Sequence, residues 1–115
     1  MFSLFRKKSP NLLALQQLER IEAEMRRIGF WTDTPPQLEA IESGQVFPTF
    51  EQWLQCVFLP KAREDAKKGK SQKNYELGLQ AMREYDYHSR IEEAHPLMCL
   101  LRDYDKLGKN HGSRN

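Results

Sequence analysis

The chain is short of everything that an enzyme of the common nucleotide-binding classes is built from. Its six glycines form no phosphate-binding loop, no nucleophile elbow and no dinucleotide fingerprint. It lacks any apolar run near the roughly 20 residues that a membrane-spanning helix requires. Two cysteines, Cys56 and Cys99, allow one disulfide at most, which excludes a disulfide-stapled scaffold. Both sit in apolar helical pattern, so two reduced core thiols are expected. The first residues place Arg6, Lys7 and Lys8 after Phe2, Leu4 and Phe5, the reverse of a secretory signal. A cytoplasmic location follows as the expectation. No internal repeat appears, and no alternation of strand type persists beyond three or four residues.

What is present is helical periodicity. At 115 residues, 39% apolar and 30% charged, the chain has the balance of one globular domain. Ala14, Leu18, Ile21, Met25 and Ile28 make the stripe of an amphipathic helix, with Asn11 as its cap and Gly29 as its left-handed terminator. Glu22 and Arg26 stand four apart on its outer face. Phe30 and Trp31 lead into the stiff connection Thr32–Pro36, and Gln37 to Ser43 predicts a short connecting helix. Thr49 and Gln52 form a capping box ahead of Phe50, Trp53, Leu54, Val57 and Phe58. Pro60 is expected to kink or end that second helix, leaving Lys61–Lys73 as a solvated turn or linker. A third helix is expected from about Asn74 to Tyr87. A fourth either bends near His95 or starts firmly at Pro96, and Gly108 closes it. The expected fold is all-α: a small bundle of about four helices spanning 11–107, a basic tail at 1–10, a polar tail at 108–115, and disordered termini.

The net charge of +2 is unevenly spread. Residues 1–8 carry +3, residues 61–73 carry +4 and residues 106–115 carry +3, which leaves −8 for the rest. Basic segments so far apart in sequence argue against a single basic face on ordered structure.

Three constellations remain. His88, His95 and Cys99 have helical spacing, but Pro96 interrupts it and no fourth ligand is evident, so no metal and no cofactor are expected. Half of the twelve aromatic residues fall between Phe30 and Phe58. Aromatic residues dominate small cores, so a packing clamp is the plain reading. The functional alternative is a partner surface made by Phe30, Trp31, Phe47 and Trp53. Lys67, Lys68, Lys70 and Lys73 could meet RNA phosphates, although stacking aromatics are sparse beside them.

The segment Phe50-Glu51-Gln52-Trp53-Leu54-Gln55, followed by Val57-Phe58-Leu59-Pro60-Lys61, resembles the YqcC-like family of small bacterial proteins. Leu12–Arg27 is similar to that family's first helix, and the Trp31-to-Pro36 spacing to its connection. Gln45-Val46-Phe47 stands where the family commonly has Gln-Pro-Phe, and the basic tail is an addition. The resemblance implies an all-helical bundle with no established activity. It also implies a link to tRNA modification, since members are often encoded beside a tRNA pseudouridine synthase. A non-enzymatic accessory or protein-interaction role is the leading expectation, with an unknown protein partner and an open oligomeric state. An RNA-associated helper is the alternative.

Overall fold

The computed structural model describes residues 9–35, 49–87 and 90–112. Among them there is no strand, and four helices make an all-α bundle. Helix α1 is Leu12–Arg27. Helix α2 runs through Phe50–Trp53, a π-helical turn Leu54–Phe58, and Leu59–Lys67. Helix α3 is Leu77–Met82 and ends in a π-helical turn, Arg83–Tyr87. A 3₁₀ turn, Glu92–Ala94, introduces α4, His95–Gly112. None of these helices is long and apolar enough to cross a membrane.

The stripe predicted for α1 is the one it buries. Ala14, Leu18, Ile21 and Met25 are fully enclosed, and at about 1.5–3 kcal/mol for each large apolar side chain this face fixes the helix to the core. Asn11 caps it, accepting from Ala14 N–H at 3.1 Å. Gly29, at φ +82°, reverses the chain, and Phe30 N–H reaches back to Met25 C=O at 2.8 Å. From α2, Leu54, Phe58, Leu59, Ala62 and Ala66 meet this face. Leu77, Ala81 and Tyr85 of α3 and Ala94, Leu97, Leu101 and Tyr104 of α4 close the core.

Short-range contacts give the order of the ends. Asn11 N–H donates to Ala66 C=O at 2.8 Å, so α1 starts where α2 stops. The Asp105 carboxylate accepts from the N–H groups of Leu77 and Gly78 at 3.0 and 2.8 Å, so α3 starts beside the later turns of α4. The Tyr85 ring meets Phe30 and Phe50 at 5.2 and 5.9 Å, and Ile91 N–H donates to Tyr85 C=O at 2.7 Å. The helices therefore alternate in direction, and short connections suit that arrangement.

Several boundaries differ from the sequence expectation. Pro60 neither ends nor breaks α2, and Lys61–Lys67 is helix rather than linker. The π turn just before it is the reason: Leu59 N–H bonds to Leu54 C=O, five residues back, and this wider turn opens the ladder where the proline ring would strike the Cys56 carbonyl. Helix α3 begins at Leu77, not Asn74, because Glu76 is left-handed at φ 55° and the Asn74 side chain accepts its N–H. Pro96 lies in the first turn of α4, where a missing N–H removes no helical bond. Gly108 does not close α4, which continues to Gly112; a Cβ at Gly108 would meet only Gln72 C=O at an ordinary 3.5 Å. Cys56 and Cys99 are both free but only half-buried, not core thiols. The short helix expected within 37–43, the residues Phe47 and His88, and most of the basic tail lie outside the described residues.

Candidate functional site

The aromatic residues form a continuous chain of rings. Phe30 meets Tyr85, Tyr85 meets Phe50, and Phe50 stacks on Trp53 at 5.9 Å. Trp53 continues to Tyr75 at 5.5 Å, and Phe58 joins Tyr75 to Tyr104 at 5.7 and 5.2 Å. Edge and offset contacts of this kind add about 0.5–1.5 kcal/mol per pair beyond burial. Phe30 and Trp53 thus act as the clamp between the α1–α2 connection and the rest of the bundle. Trp31 is half-buried like the other two, with the Arg26 guanidinium 4.5 Å from its ring centre.

Polar side chains lock the same connection in place. Gln55, nearly buried in the π turn, grips the backbone of Thr32: its Nε2 donates to Thr32 C=O at 2.7 Å and its Oε1 accepts from Thr32 N–H at 3.1 Å. The glutamine of the Trp-Leu-Gln segment is therefore a clip. Tyr85 donates its hydroxyl to Glu51 at 2.6 Å; burial first, then the adjacent carboxylate, pushes the phenol well above its usual range. Tyr104 donates to Gln72, and burial again raises its phenol. Thr49 caps α2 by accepting from Gln52 N–H at 3.2 Å. The return half of the predicted capping box is not formed, and the Gln52 carbonyl oxygen is buried with no partner among the described residues.

Neither tryptophan lines the cleft of about 580 Å³ between α3 and α4. Its floor is apolar and rich in sulfur: Leu79 and Met82 from α3, Met98 and Cys99 from α4. Leu79 and Met82 are 40% and 43% exposed, high for large apolar side chains beside a core. His95 shares the α4 wall with Cys99, while Arg102 and Lys106 rim the other end beside Asn74, Glu76 and Asp105. Gly78 sets how closely the walls approach, since a Cβ there would lie 3.0 Å from Arg102 Cβ and 3.1 Å from its Cα. Among the described residues no three His, Cys, Asp or Glu side chains are grouped to hold a metal ion. The cleft is not legible in the sequence, where Leu79 and Met82 stand three apart as residues of a buried helix face do. Only packing shows that they overhang it.

The candidate RNA contacts lie at the far end of α2 and just beyond it. Lys67 and Lys70 are exposed, Lys68 pairs with Glu64 at 3.2 Å, and Lys73 stands 5.1 Å from the Tyr75 ring centre.

A family model described as tRNA pseudouridine synthase C (DUF446) matches residues 13–107. The chain belongs to this family. The match takes in all of the helical body from α1 into the last turns of α4, so the clip, the clamp and the cleft are all within it. An uncharacterized protein of Haemophilus influenzae is 36% identical over 50 residues, which is 40% of this chain. The chain covers 47% of that relative's length. No solved structure matches the chain.

Proposed function

We propose that the chain is a non-enzymatic accessory module of tRNA modification in a bacterial cytoplasm, working by docking on a protein. The partner proposed is the tRNA pseudouridine synthase that the family's description names. The observation that carries this reading is the α3–α4 cleft. It presents four apolar side chains, two of them strongly exposed, on a wall of two rigid helices. Thioether side chains adapt to a partner's shape, and a groove between helices accepts the apolar face of an amphipathic helix at i, i+3 and i+4 spacing. Arg102 and Lys106 at the rim would favour acidic flanks on such a helix. The clamp and the Gln55 clip supply rigidity.

The test is a binding titration between this chain and the purified synthase. Leu79→Glu combined with Met82→Glu should weaken the complex at least about tenfold, as loss of central apolar anchors does. Both positions are exposed, so the helical circular dichroism should stay that of the parent. An unchanged affinity, or no complex at micromolar concentrations, contradicts the reading. A second reading, an RNA-associated helper, draws support from the tRNA named in the same description and from where the fold puts the lysines.

A further inference from the structure

Two basic stretches, remote in sequence, meet at one end of the bundle. Asn11, at the start of α1, is bonded to Ala66 at the close of α2. Gln72 bonds Tyr104 and lies against Gly108, which brings the loop after α2 to the end of α4. Residues 61–73, at +4, thus share this end with Lys106 of α4. At the opposite end, where α1 stops and α3 turns into α4, stand Asp33, Glu51, Glu84, Asp86, Glu92 and Glu93.

The acidic residues within the basic end are mostly engaged. Asp105 caps α3, Glu64 pairs with Lys68, and Asp65 pairs with Lys61 at 3.5 Å. Glu76 remains exposed beside the cleft. Among the described residues Lys67, Lys70, Lys73 and Lys106 have no carboxylate within ion-pairing distance, and all four are exposed. Free ammonium groups on four separate stems, arranged around one end, suit a flexible chain of phosphates better than one compact anion.

We infer that this end of the bundle binds the phosphate backbone of RNA, through Lys67, Lys70, Lys73 and Lys106. The choice of RNA over other polyanions rests on the second reading above. Lys67, Lys70 and Lys73 lie off the cleft, while Lys106 stands on its rim and is the one side chain that an RNA and a docked helix would share. Recognition is by charge, without base readout, so affinity follows ionic strength.

The experiment uses the full chain alone, without the synthase, and an unmodified tRNA transcript over a range of salt. The parent should bind, with log K falling linearly against log salt. The variant Lys67→Glu/Lys70→Glu/Lys73→Glu/Lys106→Glu should lose at least about tenfold in affinity near 0.1 M salt, and the slope should shrink by about one for each lysine that contacts a phosphate. Arg83→Glu/Arg90→Glu, a charge reversal at the opposite end, should leave both quantities close to the parent. The inference is overturned if the parent does not bind, if the lysine variant keeps the affinity and slope, or if the arginine control loses as much. Tighter binding to a DNA duplex of equal phosphate number would overturn the assignment to RNA. Since no synthase is present, these outcomes are independent of docking at the cleft.

Discussion

Single side chains decide how well the α1–α2 connection is held, and few of them can be recognised in advance. Gln55 falls off the apolar stripe of its helix, and Gln17 is a polar residue at the edge of the α1 stripe. Yet both are nearly buried, Gln55 on Thr32 and Gln17 donating to Leu100 C=O at 2.9 Å. A polar residue is buried only where a partner is supplied, and here the partner is backbone from a distant segment. Gln55→Leu should cost about 1–3 kcal/mol in urea unfolding, because Thr32 then keeps two unpaired backbone groups. A loss below the error of the fit would remove the clip from the account. Glu22 gives a pH test. Burial pushes its carboxyl up, but hydrogen bonds and charge from Arg63 and Arg26 outweigh this and hold it below the ordinary 4.5. Its contribution to stability is therefore full above the unfolded value and is lost as pH falls through the lower folded one. Glu22→Gln should flatten the decline in unfolding free energy below about pH 4.5. Parallel pH curves for the two proteins would show that the Arg26–Glu22–Arg63 group does not stabilise the fold.

At the scale of elements, periodicity located every described helix, and caps such as Asn11 and Gly29 were legible because their chemistry is local. Boundaries failed where distant residues intervene: Asp105 caps α3 from another helix, and the π turn before Pro60 absorbs the proline. The α3–α4 contact carries its own prediction. Alanine in a helix normally gains about 1 kcal/mol over glycine. At Gly78, however, the new Cβ would press on the Arg102 backbone at 3.1 Å, which cannot swing aside. Gly78→Ala should therefore destabilise, by about 1–3 kcal/mol as overpacking does. A rise in melting temperature would mean that the walls of the cleft are free to separate.

The molecule as a whole sorts its chemistry in a way the linear sequence conceals. Helices alternating in direction bring the lysines that follow α2 and Lys106 of α4 to one end and put the aromatic clamp at the other. The same packing leaves an apolar cleft along one side. The two surfaces differ in legibility for a physical reason. Charge in a segment is fixed by composition, so the lysines were visible and only their meeting was not. Exposure of Leu79 and Met82 is a property of the packed bundle. Cys99 on the cleft wall offers a direct readout of docking, with Cys56 as an internal reference whose thiol burial pushes up. The measurement is the alkylation rate of each thiol at neutral pH, with and without the purified synthase. The account predicts that Cys99 is protected about tenfold or more in the complex, with Cys56 unchanged. A complex that forms while Cys99 reacts at its free rate would contradict the cleft as the docking surface.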